Sequence, residues 1–208
     1  GRLKTREARA DMEALLATDN DNFCREASAI TLGDMGDKKA ITALKEGMKD
    51  KSVNVRMRSV RALAKLGDRS GRDLALKTLI KEGDVTGKLL ASDALQEIGD
   101  KSVIPELESH QNDPNVWTRI YAKLAVKKIG LAGLSEHARI EYFKESFKDT
   151  QYEVNQWAAI ELAKTGTGEA VKVLKESSKD KNLPGSYAAY KVLTKLVERG
   201  KLTKEEIQ

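Results

Sequence analysis

The sequence predicts an all-α solenoid, a fold in which copies of one two-helix unit stack along the chain. Five glycines recur at intervals of 31, 32, 31 and 36 residues, namely Gly36, Gly67, Gly99, Gly130 and Gly166. An apolar stripe at helical spacing precedes each glycine, as Val60, Leu63 and Leu66 precede Gly67. Periods of this length are typical of repeat proteins, whose units share a continuous core. Aromatic residues make up only 5% of the chain and charged residues 33%, with Ala, Leu, Lys and Glu dominant, which favours helix.

Each unit is predicted to contain two antiparallel helices, helix A before the glycine and helix B after it. In the first unit, helix A covers about residues 22–34 and helix B about residues 38–49. Glycine suits the corner between them because it adopts positive φ without a Cβ penalty. An aspartate follows three of the corners (Asp37, Asp68 and Asp100), where it can cap helix B. A second aspartate closes each unit (Asp50, Asp84, Asp113, Asp149 and Asp180).

These units predict a single repeat domain over residues 1–208. The predicted repeats cover about 21–50, 51–84, 85–113, 114–149 and 150–180, with a partial repeat over 181–208 that has its corner at Gly200. Residues 1–20 are predicted as an N-terminal capping helix or as the second helix of a preceding unit. The A helices also carry pairs of small residues, such as Ser28-Ala29, where a close approach between helices needs them.

The segment DKSVNVRMRSVRALAKLGD, residues 50–68, resembles the short HEAT-like repeat first associated with phycobilisome lyases. That repeat opens with Asp-x-x-x-Val-Arg and continues through paired small residues to Ala-Leu-Gly. The resemblance covers about residues 20–200. It implies a right-handed α-solenoid, or alpha-alpha superhelix, of about five to six HEAT-like repeats whose B helices line a concave surface. In that family the arginine commonly joins neighbouring repeats through an acidic group, so we interpret Arg56 and Arg119, which occupy its position, as structural.

The sequence shows no catalytic, metal-binding or cofactor-binding set, so we predict a protein that is not an enzyme and that has no cofactor and no metal. Its two histidines, His110 and His137, lie 27 residues apart, and neither has a second ligand at zinc-site spacing. We expect His110 to be a solvated residue at a helix end and Cys24, the single cysteine, to be partly buried at a helix start. The resemblance allows a lyase or a DNA glycosylase as a less favoured alternative.

The chain shows no sign of insertion into a membrane. No apolar run approaches the roughly 18 residues that a membrane-spanning helix needs. No signal peptide is visible, so a cytoplasmic location is slightly favoured. We interpret Gly1-Arg2 as an artificial boundary and expect a targeting segment or further repeats upstream.

Basic residues carry the functional prediction. Residues 45–77 contain ten Lys or Arg and four acids, and the formal net charge of the chain is +5. If the B helices line the concave surface, their outward positions form a groove that is basic at both ends. Its middle has mixed charge, because the third B helix presents the acids Glu106 and Glu108. The predicted partner-binding residues are Lys38, Lys45, Lys49, Arg72, Lys77, Lys81, Lys172 and Lys175. We predict a scaffold that binds an unidentified protein partner; the alternatives are nucleic-acid or polyanion binding and an ordinary solvated face.

Overall fold

Helices make up all the regular structure described. A computed structural model describes residues 2–203 and 205, with side chains for residues 7–203 and 205. The helices there are α1 (Arg2–Thr18), α2 (Asn22–Met35), α3 (Ile41–Gly47), α4 (Val53–Lys65), α5 (Arg72–Lys81), α6 (Val85–Ile98), α7 (Ile104–Ser109), α8 (Val116–Gly130), α9 (Glu136–Ser146), α10 (Tyr152–Thr165), α11 (Gly168–Lys179) and α12 (Ser186–Glu198). Short 3-10 turns (Lys38–Ala40, Lys101–Val103 and His110–Asn112) flank α3 and α7. The predicted all-α repeat fold is confirmed.

The helices group into two compact units, Gly1–Gly130 and Leu131–Gln208. In the compact unit Gly1–Gly130, helices α2, α4, α6 and α8 pack in chain order, each against the next, and form the layer of A helices. Helices α3, α5 and α7 are the B helices, and each packs against the A helix that follows it. In the second unit, the B helices α9 and α11 pack against α10 and against each other, and α11 also packs against α12. A single domain over residues 1–208 stays a prediction.

Aspartates cap the turns at the positions that the sequence predicts. Asp37, Asp68 and Asp100 each accept a hydrogen bond from the backbone N–H two residues further on, at 2.8–3.0 Å. The five closing aspartates also accept a hydrogen bond from a backbone N–H two or three residues further on. These bonds satisfy N–H groups that have no acceptor within a helix.

The fourth corner differs from the prediction. Gly130 is the last residue of α8, and the positive φ of this turn, 84°, belongs to Gly133. The other predicted corners, Gly36, Gly67, Gly99, Gly166 and Gly200, do have positive φ. Leu131 stands where the first three units have an aspartate, so no side-chain carboxylate is available to cap a helix directly after Gly130. Helix α9 starts later, with its N-terminus capped by Ser135, whose hydroxyl accepts a hydrogen bond from the N–H of Ala138.

Apolar stripes on the A helices form the core between the two helix layers. Leu32, Leu63 and Leu162 are completely buried. The paired small residues Ser28 and Ala29 are also buried, as the sequence predicts. The A helices approach closely: a Cβ built on Gly33 of α2 would lie 2.8 Å from the Cβ of Ala62 on α4. Such tight packing leaves little room for the core to adjust to a change of side-chain volume.

Candidate partner-binding groove

The arginine position of the repeat motif has a structural role. In Arg25, Arg56 and Arg119 the guanidinium donates a hydrogen bond to the carbonyl oxygen six residues earlier, at 2.6–2.9 Å. Arg25 also forms two hydrogen bonds with the carboxylate of Asp50, through Nε at 2.7 Å and Nη2 at 3.0 Å. Each guanidinium therefore fixes the loop that leads into its own helix. The interpretation of Arg56 and Arg119 as structural residues is confirmed.

Lys88 occupies the same position in α6 and is only 1% exposed. Its ammonium donates hydrogen bonds to the carbonyl oxygens of Leu79 (2.8 Å) and Ile80 (3.2 Å) and to the hydroxyl of Thr118 (2.9 Å). The two carbonyls belong to the last turn of α5, where a cation is favoured. Burial lowers the pKa of Lys88. Because all three ammonium protons have acceptors, we assign Lys88 to the structure and not to a binding surface.

Basic residues on the B helices pair with the corner aspartates of the next unit. The Nζ of Lys45 lies 2.9 Å from a carboxylate oxygen of Asp68, and Nη1 of Arg72 lies 3.2 Å from Asp100. On α1, the Nε of Arg9 lies 3.0 Å from Asp37, so α1 holds the position of a B helix. We call these three contacts the corner ion pairs. Two predicted partner-binding residues, Lys45 and Arg72, therefore join neighbouring units.

The other predicted partner-binding residues fall into two groups. Lys49 pairs with Glu46 at 2.8 Å, and Lys172 lies 3.9 Å from Glu176, and all four side chains are exposed. The remaining side chains, Lys38, Lys77, Lys81 and Lys175, form no ion pair with any residue that the structure describes. All of these except the half-buried Lys175 are exposed. Lys77 and Lys81 are i,i+4 neighbours on α5, so the structure presents two adjacent cations that a partner can reach.

A groove between α5 and α7 brings Arg72, Lys77 and Lys81 together. We call it the α5–α7 groove, and its volume is about 520 Å³. Its apolar lining consists of Leu76, Ile80 and Val103, and its other polar residues are Asp73, Ser102, Glu106 and His110. The groove therefore offers cations, carboxylates and apolar side chains on one surface. The predicted residues Lys38, Lys45, Lys49, Lys172 and Lys175 do not line it.

His110 also lines this groove, which was not predicted from the sequence. His110 is half-buried, and its Nδ1 lies 3.2 Å from a carboxylate oxygen of Asp113, so it is not the solvated residue that we expected. Val103, Glu106 and His110 follow one another at i, i+3 and i+7, a spacing that could have indicated a shared face. A hydrogen bond from the N–H of Asn115 and the contact with His110 hold the pKa of Asp113 below its usual range.

Cys24 lies on the surface and not in the partly buried position that the sequence predicts. It is exposed in the first turn of α2. The nearby carboxylate of Asp19, with smaller effects from partial desolvation and from Asp21, raises the pKa of the Cys24 thiol. A raised pKa disfavours the thiolate, which is the reactive form of cysteine.

Two further properties concern metals and membranes. Over residues 7–203 and 205, the structure contains no group of three or more His, Cys, Asp or Glu side chains that could hold a metal ion. None of the described helices is both long enough and apolar enough to cross a membrane.

Asp68 allows a test of the corner ion pairs. Hydrogen bonds from Ser70 and from Lys45 lower the pKa of Asp68 from 3.8 to about 2. A carboxylate with a lowered pKa stabilises the folded chain above its unfolded-state pKa, and that stabilisation is lost as the pH falls through the folded-state value. We expect Asp68→Asn to destabilise the chain by about 1–2 kcal/mol at pH 7, and by progressively less from about pH 4 towards pH 2.

Urea unfolding of D68N and the parent protein between pH 7 and pH 2 measures this difference. Asp73 provides the matched control because it is exposed and belongs to no corner ion pair. The free energy of unfolding of D73N should stay close to that of the parent protein at every pH. A D68N effect that stays constant with pH would contradict the role given to Lys45.

The fold and the groove together define a helical repeat scaffold made of stacked two-helix hairpins. The sequence profile of the HEAT repeats matches residues 1–64 and 41–127. The chain therefore belongs to the HEAT repeat family, and the resemblance noted in the sequence is confirmed.

Solved structures of two proteins share this fold. Human deoxyhypusine hydroxylase, in complex with glycerol, is 14% identical with a TM-score of 0.53, and the alignment covers 100% of this chain and 94% of that chain. The complex of CpcE and CpcF of phycocyanin lyase from Nostoc sp. PCC7120 gives 20% identity and a TM-score of 0.55, covering 99% and 81% of the two chains. At such identities the similarity shows the fold alone. No protein of curated function matches the chain by sequence.

Proposed function

We propose that the chain is a non-enzymatic interaction scaffold that binds a protein partner in the α5–α7 groove. The mixed character of that groove supports the proposal: Lys77 and Lys81 are cations without an ion pair among the described residues, Glu106 is an exposed acid, and Leu76 and Ile80 add apolar surface. A protein segment can present apolar groups and both signs of charge to such a surface. Complementary charges at an interface select the partner and fix its register.

Polyanion binding fits this groove less well. A nucleic-acid backbone is held by cations that neutralise successive phosphates. Here Arg72 is already paired with the carboxylates of Asp73 and Asp100, and the carboxylate of Glu106 repels phosphate from the same groove. Two adjacent lysines therefore remain for a polyanion, whereas a protein segment uses the whole lining.

The non-enzymatic part of the proposal is based on the polar side chains of the groove. Covalent catalysis needs a nucleophile beside a base. Nδ1 of His110 is engaged with Asp113, and the hydroxyl of Ser102 accepts a hydrogen bond from Arg72 at 3.2 Å. Among the described residues, Ser102 and His110 are not hydrogen-bonded to each other. By analogy of fold, the complex of CpcE and CpcF also supports a role in which a partner is another protein chain.

Reversing the charge of Lys77 and Lys81 tests the proposal. Neither side chain has an ion pair within the described residues, so the double variant K77E/K81E leaves the corner ion pairs intact. We expect capture from native lysate with the parent protein, read by quantitative mass spectrometry, to yield a specific partner. Recovery of that partner should fall about tenfold or more with K77E/K81E. Circular dichroism should show the same helix content in both proteins.

A matched control comes from the variant K179E/K181E, which reverses two exposed lysines that also have no ion pair with described residues. It should retain the partner. Equal loss of the partner in both variants would show that general charge, and not the groove, controls binding. Fluorescence anisotropy with random duplex DNA gives the second measurement. Micromolar DNA binding that weakens steeply with salt and depends on Lys77 and Lys81 would replace our proposal with polyanion binding.

A further inference from the structure

A second groove lies between two A helices of the other compact unit, α10 and α12. We call it the α10–α12 groove, and its volume is about 260 Å³. Ile160, Ala163 and Lys164 line it from α10. Val192, Lys195 and Leu196 line it from α12, and Arg199 and Lys201 from the turn that follows. These residues play no part in the α5–α7 groove.

The charge of the α10–α12 groove has one sign. Among the residues that the structure describes, its lining contains four cations and no acid. Lys164 pairs with Glu161 of its own helix at 2.6 Å. The other three, Lys195, Arg199 and Lys201, are exposed and form no ion pair with any residue that the structure describes. An acidic partner would therefore meet cations that no carboxylate of the described chain already neutralises.

Apolar side chains run beside these cations. On α12, Val192 and Leu196 are i,i+4 neighbours, and so are Lys195 and Arg199. Residues at this spacing lie on one face of a helix, so an apolar row and a cationic row follow the helix together. Across the groove, Ile160 is 40% exposed, although it lies on a helix whose other apolar residues are mostly buried. A phosphate backbone would leave this apolar surface uncovered, whereas an amphipathic helix would cover it.

We propose that the α10–α12 groove is a docking site for an acidic amphipathic helix of a partner protein. The leucine-type side chains of that helix pack against the exposed Ile160 and the half-buried Leu196, above the buried Val192. Its carboxylates, one turn apart, pair with Lys195 and Arg199. This site is independent of the α5–α7 groove, because the two are lined by different residues and differ in charge.

Three labelled synthetic peptides test the proposal against the full chain by fluorescence anisotropy at physiological salt. The first carries Leu at i,i+4 positions with Glu beside them, the second replaces Glu with Lys, and the third replaces Leu with Ala. We expect the Leu/Glu peptide to bind, the Leu/Lys peptide not to bind, and the Ala/Glu peptide to bind about tenfold more weakly. K195E/R199E should weaken binding of the Leu/Glu peptide by about tenfold or more, whereas K179E/K181E should leave it unchanged.

A variant on the apolar side completes the test. Because Ile160 is partly exposed, Ile160→Ser should leave folding intact and weaken the binding of the Leu/Glu peptide several-fold. Absence of binding by the Leu/Glu peptide would overturn the proposal, as would equal binding of the Ala/Glu peptide or an equal effect of the two charge-reversed variants. Displacement of the peptide by duplex DNA, with the same dependence on Lys195 and Arg199, would assign the groove to nucleic acid. A negative result for the α10–α12 groove does not change the result expected for Lys77 and Lys81. The two proposals are therefore tested separately.

Discussion

Replacing Leu63 with alanine is expected to lower the free energy of unfolding by about 2–5 kcal/mol. Leu63 is completely buried on α4, in one core cluster with Leu32, Leu44 and Val55. The truncated side chain leaves a cavity, and α2 and α4 have little room to close around it because they already pack tightly at Gly33, where an added Cβ would lie 2.9 Å from the Cα of Ala62. Urea unfolding followed by circular dichroism measures the change.

Leu89 provides the matched control, since this leucine of α6 is 37% exposed. Leu89→Ala removes the same atoms without leaving a closed cavity, so its effect should stay below about 1 kcal/mol. Similar effects of L63A and L89A would mean that the buried face of the A helices has been assigned incorrectly.

The second large effect is expected for Arg25→Ala, at about 3–5 kcal/mol. The side chains of Arg25 and Asp50 are only 5% and 12% exposed, and they share two hydrogen bonds. Removing the guanidinium leaves the carboxylate of Asp50 buried without its cation and the carbonyl of Asp19 without its donor. Burial raises the pKa of Asp50, but the hydrogen bonds from Arg25 and from the N–H of Ser52 outweigh it, so the pKa lies below 3.8.

The lowered pKa of Asp50 gives this prediction a pH dependence. The ionised carboxylate stabilises the folded chain above its unfolded-state pKa and stops doing so as the pH falls through the lower folded-state value. The difference in the free energy of unfolding between R25A and the parent protein should therefore become smaller in acid. The double variant R25A/D50A should lower the free energy of unfolding by less than the sum of the two single variants, because it removes both charges. Additive effects would contradict a direct interaction.

Lys49 and Glu46 form the control pair for this experiment. Their atoms are 2.8 Å apart, close to the 2.7 Å of the Arg25–Asp50 pair, but their side chains are 72% and 68% exposed. Water and salt screen such a pair, so Lys49→Ala should change stability by less than about 0.5 kcal/mol. The comparison separates burial from distance as the origin of the effect.

The repeat pattern predicted the helices well because their determinants are local. A glycine with positive φ, an aspartate that caps the next turn and an apolar stripe all lie within one unit, as around Gly67 and Asp68. The error at Gly130 has the same origin. The glycine is present there but the aspartate is absent, and the turn forms instead at Gly133, before the Ser135 cap. A corner between two helices needs both the glycine and a capping side chain directly after it, which is an aspartate at Gly67 and Thr167 at Gly166. Glycine alone does not define one.

The candidate sites were harder to predict because charge pairing depends on the neighbouring unit. Lys45 and Arg72 were both predicted as partner-binding residues, but their partners Asp68 and Asp100 lie more than twenty residues away. Lys77 and Lys81 of the α5–α7 groove, which have no ion pair with any described residue, could be distinguished from these only in three dimensions. The α10–α12 groove was not predicted because the concave surface that the family resemblance implies is lined by B helices, whereas this groove is lined by A helices.

The corner ion pairs have a consequence for how such a chain can change length. The repeat unit of residues 51–84 contains Asp68, which pairs with Lys45 of the preceding unit, and Arg72, which pairs with Asp100 of the following unit. Each such unit thus carries an acid that pairs with the preceding unit and a base that pairs with the following unit. Duplication or loss of a whole segment in the gene would bring an acid and a base together again at the new junction. Recombination can therefore lengthen or shorten the array without new compensating substitutions at these positions.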